Sequence, residues 1–192
     1  LLANNEDAIA REVIAKLQVH PDGQAQNAIR GIAENRALTS NTRALAVAAM
    51  HSGSKENVDS LISLSGDTEL EVAEEAYRSI NGYIPLPEQI LTLKRNATTE
   101  YTKELLDRIL SAPNITEERK NRSLEQWSKI LKPGNPQRGE RIFYNGQAGT
   151  CFQCHQVKGR GNSVGPDLSR IAATLSYEKI LESIIQPSRN IA

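Results

Sequence analysis

The sequence predicts an all-α protein in two parts, a succession of short helices followed by a smaller domain built around a cysteine pair. Three observations carry this. Apolar residues recur at three- and four-residue spacing through most of the first 131 residues. Pro133, Gly134 and Pro136 stop any helix that enters from the N-terminal side. The composition then changes: residues 1–136 hold 16 basic and 19 acidic side chains and the remainder 7 and 4, while seven of the twelve glycines lie at Gly134 or beyond. These features set the domains at 1–132 and 137–192, with a linker at 133–136.

In the first part each helix has its own stripe and stop signal. Ile9, Val13 and Leu17 stripe one that ends before His20 and Pro21, and Ala25, Ala28, Ile29, Ile32 and Ala33 stripe the next. Asn41 or Thr42 caps a third, which runs through Leu45, Ala48 and Ala49 to Gly53. Ser54 opens a fourth with Val58, Leu61 and Ile62, stopped near Gly66. Asp67 or Thr68 caps a fifth, carrying Leu70, Ala73, Ala76, Tyr77 and Ile80 to Asn81 and Gly82. Weaker candidates follow the Pro85-Leu86-Pro87 turn at 88–95, 100–111 and 116–131.

Sliding Ala44-Leu45-x-x-Ala48 onto Val72-Ala73-x-x-Ala76 superposes small apolar residues at an offset of 28. Helix pairs that recur in this way bury their apolar faces against their neighbours and build a solenoid. The stretch from about 24 to 131 resembles degenerate HEAT-type repeats; an irregular helical bundle is the other reading. Met50 reads as core filler. His20 and His51 read as helix-end surface residues, with the C-terminal dipole favouring charged His51. The Asn-x-Ser/Thr sequences at Asn96, Asn114 and Asn121 read as chance.

Composition bounds the function. With 23 basic and 23 acidic side chains the formal net charge is zero, which argues against a nucleic-acid partner. No apolar run approaches the roughly 20 residues a membrane-spanning helix needs. The chain opens Leu1-Leu2-Ala3 with neither an initiator Met nor a leader pattern, and is expected to be a piece of a longer protein.

The only cysteines, Cys151 and Cys154, precede His155 in the five-residue pattern Cys-x-x-Cys-His. Two thiols three positions apart can each join a haem vinyl group, and the next residue then places an imidazole under the iron. A structural zinc site needs about four ligands, and no Cys or His follows His155. A thioredoxin-like pair needs a strand-helix setting that the surroundings lack. Two structural cysteines with an incidental histidine fit the spacing but leave the neighbouring residues unexplained.

Those neighbours carry a resemblance. Asn135 to Phe143, with Gly139 four residues before the aromatic Phe143, looks like the opening helix of a class I cytochrome c. Gly165-Pro166-Asp167-Leu168 is similar to the loop that follows the haem motif in that family. The whole of 134–192, ending Ile184-Ile185-Gln186-Pro187-Ser188-Arg189, resembles the cytochrome c-like haem-binding domain of planctomycetes, verrucomicrobia and Bacteroidetes.

The resemblance implies one covalent haem c on Cys151 and Cys154, with His155 as the iron ligand. It also implies a Pro166 carbonyl that accepts from the imidazole, and contacts from Leu168 and Phe143. Arg138, Arg141, Lys158 and Arg160 would meet haem propionates or an acidic partner, or form a solvated basic surface. Such domains continue to a Met-containing loop and a final helix, so this one is expected to be truncated at its C-terminus.

The implied function is electron transfer outside the cytoplasm, in the periplasm or at the cell surface. The domain would not itself be catalytic; it would serve a redox partner or a sugar or alcohol dehydrogenase module of quinoprotein type. A helical interaction scaffold with a non-functional haem segment is the alternative, and an open iron position for peroxide or gas chemistry a third.

Overall fold

The computed structural model describes residues 2–18, 20, 22–80, 82–111, 123–130, 134–144, 151–187 and 189. The chain forms two compact units, one centred on Leu1–Asn114 and one on Ile115–Tyr144 with Thr150–Ala192. Among the described residues everything regular is helical apart from one two-residue hairpin, as the sequence predicts.

The first unit contains α1 (Leu2–Leu17), α2 (Gly23–Glu34), α3 (Ser40–Ala49), α4 (Lys55–Leu64), α5 (Leu70–Ser79), α6 (Pro87–Asn96) and α7 (Glu100–Leu110). Odd-numbered helices pack in succession as one layer and α2, α4 and α6 as a second, with α3 at the centre, buried from Thr42 to Ala49. Small side chains permit this: Ala44, Ala46, Ala48 and Ala49 let the neighbouring helices approach closely. Met50 is fully buried beside them.

Helices α3, α5 and α7 start at Ser40, Leu70 and Glu100, so the recurrence is 30 residues rather than the expected 28. Matching small side chains aligned interior positions, whereas the true register is carried by the helix starts. Side-chain bonds between the helices span nearly the same interval. Ser40 donates to Glu71 at 3.0 Å, Asn57 to Gln26 at 2.8 Å, and Asn96 to Ser65 at 2.9 Å, each across 31 residues.

Several local expectations are corrected. Helix α1 buries Ala10 and Ile14, and Gln18 just beyond its end is buried on the same side, while Ile9 is 56% exposed and Val13 also lies on the outer side. Both sets have the same four-residue spacing, and packing against α2 and α3 selects the second. The cap of α3 is Thr39, whose hydroxyl accepts from Thr42 N–H, rather than Asn41 or Thr42. Helix α5 starts after Glu69 with no side-chain cap.

Asp67 has other partners. Its carboxylate meets Arg43 at 2.6 Å with both side chains buried, and Arg43 also donates to the Ala33 carbonyl at 2.9 Å. Burial pushes the Asp67 carboxyl up, but the bonds from Arg43 and Glu69 N–H and the charges of Arg43 and Arg36 outweigh it, leaving a net lowering. His51 also departs from expectation, since burial lowers its pKa and disfavours the charged form. Its backbone N–H donates to Gln26 and its carbonyl accepts from Asn57.

The second unit contains α8 (Leu124–Ile130), α9 (Pro136–Tyr144), strands β1 (Gln156–Val157) and β2 (Arg160–Gly161), α10 (Ile171–Thr174) and α11 (Tyr177–Ile185). Helix α8 packs on α11, and so belongs with this unit although it precedes the linker expected at 133–136. Pro133, the 112–122 part of the region around the last helix candidate, Asn81, and the sequences at Asn114 and Asn121 lie outside the described residues.

Candidate functional site

Cys151–Gln153 form one 3-10 turn, because His155 N–H donates to the Cys151 carbonyl at 2.8 Å and Cys154 N–H to the same oxygen at 3.2 Å. Asn162 closes that turn, its N–H on the Phe152 carbonyl at 2.9 Å and its amide nitrogen on Gln153 O at 3.0 Å. Neither cysteine is in a disulfide.

The chain then reverses through the antiparallel hairpin β1–β2. Lys158 and Gly159 form the turn with φ of 51° and 75°, the two positive values that a two-residue hairpin favours. Gly161 is required by close approach, since a Cβ there would fall 2.2 Å from the His155 carbonyl oxygen.

Residues 165–169 return alongside 154–158. Gly165 N–H donates to the Cys154 carbonyl at 2.6 Å and Leu168 N–H to Gln156 O at 2.9 Å. Between these anchors Nδ1 of His155 lies 2.9 Å from the Pro166 carbonyl. An acceptor there requires Nδ1 to carry the proton, which leaves Nε2 as the coordinating nitrogen. Asp167 accepts from both N–H and hydroxyl of Ser169, and these bonds hold its carboxyl below the ordinary value.

Helix α9 is fastened to the hairpin by Tyr144. Its hydroxyl donates towards the Val157 and Arg160 carbonyls at 3.2 and 3.4 Å, and the Arg160 guanidinium stacks 4.3 Å from the ring centroid. Burial is the main influence on the phenol and raises its pKa. Glu140 pairs with Arg160 at 3.0 Å. A cavity of about 520 Å³ opens between α9 and the hairpin, lined among others by Gly139, Phe143, Tyr144 and Val157.

Each expected site residue thus has a definite place. Cys151, Cys154, His155, Pro166 and Leu168 come together on two adjoining stretches, with Leu168 half-buried. Phe143 lies on the cavity wall, edge-on to Tyr144 at 4.9 Å. Of the four basic residues, Arg141 is buried and Arg160 is engaged by Glu140, so neither is an uncommitted surface charge.

The donor set fits a haem better than a bare metal ion. Among the described residues no three His, Cys, Asp or Glu side chains converge to hold a metal. Gly165 lies flush against the imidazole, where a Cβ would sit 2.7 Å from Cε1. Val164 beside it is 82% exposed, and Leu175 and Ile184 are also uncovered, an excess of outward apolar surface for so small a unit.

The family model for cytochrome c matches residues 136–191. Comparison with curated proteins and with solved structures gives no match. Residues 136–191 are therefore a cytochrome c-like domain, similar to a class that carries electrons on covalent haem. Among the described residues no helix is long and apolar enough to cross a membrane.

Asn162, Ser169 and Tyr144 carry no expected role at the site, and the sequence marks Asp167 only as a member of the Gly-Pro-Asp-Leu loop. An Asp-x-Ser sequence is a readable signal for the side-chain-to-backbone turn at Asp167. Nothing in the sequence announces the Tyr144–Arg160 stack, which needs two elements 16 residues apart to meet.

Proposed function

We propose that the protein is an electron-transfer module carrying one covalent haem c. Cys151 and Cys154 would hold the group by thioethers: each sulfur bonds one vinyl carbon and its proton goes to the other, with no net redox change. His155 would ligate the iron through Nε2 while Pro166 keeps Nδ1 protonated and strengthens the ligand as a donor. When bound, the haem supplies a one-electron Fe(II)/Fe(III) couple. The observation that carries this reading is the 2.9 Å approach of His155 Nδ1 to the Pro166 carbonyl beside a Cys-x-x-Cys turn, within the stretch matched by the cytochrome c family model.

The finer reading rests on the likeness drawn from the sequence. The domain serves a longer oxidoreductase in the periplasm or at the cell surface, taking electrons from a sugar or alcohol dehydrogenase module or a partner protein. The first unit is a degenerate HEAT-like array, supported by the 30-residue recurrence of its helix starts. Expression of the chain with a c-type maturation system tests the central claim. One haem per polypeptide, retained after denaturation and giving a Soret band, is expected; colourless protein from cells that mature a control cytochrome would refute it.

A further inference from the structure

Ser169 lies outside the family's haem motif, yet it joins the two stretches that hold the axial imidazole. Its hydroxyl accepts from Lys158 N–H at 2.6 Å and donates to Asp167 Oδ1 at 2.5 Å, while its own N–H donates to that same oxygen at 2.8 Å. Lys158 is the one described non-glycine residue with positive φ, so the backbone atom that Ser169 grips belongs to a residue in the left-handed region that side chains disfavour.

The order of contacts between the stretches gives this bond its leverage. Gly165 is tied to Cys154, Pro166 faces His155, Leu168 is tied to Gln156, and Ser169 is tied to Lys158. The Pro166 carbonyl thus lies between two backbone anchors, Gly165 on Cys154 and Leu168 on Gln156, that fix its direction towards the imidazole. On the far flank the Leu168 bond is continued by Ser169, which the charge on Asp167 orients.

We propose that Ser169, oriented by Asp167, is a positioning residue that sets the strength of the His155–Pro166 hydrogen bond and through it the Fe(II)/Fe(III) equilibrium of the bound haem. The inference rests on the haem reading above and deepens it. A firmly held carbonyl draws the Nδ1 proton, makes the imidazole a better donor and favours Fe(III). Loosening the clip weakens that bond and favours Fe(II).

The test is the midpoint potential of the haem-loaded full chain. Ser169→Ala is expected to shift the equilibrium towards Fe(II) by about threefold or more, where tenfold corresponds to 59 mV for one electron. Ser169→Thr, which keeps the hydroxyl, restores the parent value. Ser176→Ala removes the cap of α11 in the same unit and lowers stability without moving the potential, which separates positioning from general destabilisation.

Should Ser169→Ala take up no haem, Asp167→Asn at 1 M salt decides. There the screening length is about 3 Å and the charge change of an exposed side chain is damped, so a remaining shift towards Fe(II) reports the weakened bond. A potential at the parent value in Ser169→Ala, or in Asp167→Asn where the alanine variant fails, overturns the inference, as does a Thr variant that behaves like Ala. If the parent chain takes up no haem, the functional reading fails with it; a haem-loaded parent with indifferent variants sinks the inference alone.

Discussion

A Cβ built on Gly165 would lie 2.7 Å from Cε1 and 2.8 Å from Nδ1 of His155, so the backbone at 165 and the face of the imidazole occupy adjoining space with no room for a methyl group. The ring cannot swing aside without losing the Pro166 carbonyl. Gly165→Ala is therefore expected to cost about 1–3 kcal/mol in overpacking and to displace the His155 imidazole, the proposed iron ligand. Haem content per polypeptide and the low-temperature absorption bands check this. Parent-level haem content and unchanged bands would show that the approach is not required.

The buried pair of Arg43 and Asp67 gives a larger effect in the first unit. Asp67→Ala leaves the Arg43 guanidinium buried without its carboxylate, and loss of one partner of such a pair costs about 3–5 kcal/mol. Urea unfolding followed by circular dichroism at 222 nm measures it. A cost below about 1 kcal/mol would place the pair among the exposed ones in its energetics.

Tyr77 makes the same unit sensitive to alkali. Burial pushes its phenol up from 10.0 to about 12, opposed in part by Ser65, and its hydroxyl donates to the Leu93 carbonyl at 2.5 Å. The folded state holds the proton more tightly than the unfolded chain does. The corresponding stability is complete below pH 10 and is lost as pH rises from 10 through about 12. Between those values the urea midpoint of the parent should fall more steeply than that of Tyr77→Phe, which has no proton to lose; parallel curves would contradict the assignment.

In the second unit the link between α9 and the hairpin is separable by substitution. Tyr144→Leu removes the two hydroxyl contacts and the ring at a cost of about 2–3 kcal/mol, and Arg160→Ala removes the stacked cation and its half-buried ion pair for about 1 kcal/mol. Because Arg160 lies on the Tyr144 ring, the double variant should lose less than the two separate costs combined. Thermal unfolding of the four proteins forms the cycle; strict additivity would mean that the stacking carries no energy.

Much of this architecture was legible before any coordinates. Stop signals such as Gly66 and Pro87, and the cap Ser54, act through neighbours in sequence, and they bound α4 and α6 where expected. The face that a helix buries is not a local property. Ile9 and Ala10 each begin a four-residue stripe, and only α2 and α3 decide between them. The sequence neighbours of Asp67 suit a helix cap, but Arg43, 24 residues upstream, takes its carboxylate.

In the Cys-x-x-Cys-His stretch the residues proposed to hold haem lie within five positions, and their spacing is itself the signal. Those that steady them do not. Ser169 acts on Lys158 across 11 residues, and Tyr144 on Val157 across 13. Two-residue strands leave no alternation to detect, so Lys158-Gly159 is the one local signal of the short hairpin.

The 30-residue recurrence of α3, α5 and α7 gives the first unit a modular resilience. Each layer element leans chiefly on the ones before and after it, so damage at the α1 end breaks its contacts with α2 and α3 and leaves more distant interfaces intact. Deletion of α1 should shorten the stack while α5 and α7 stay helical, melting in from the wound instead of collapsing as a whole.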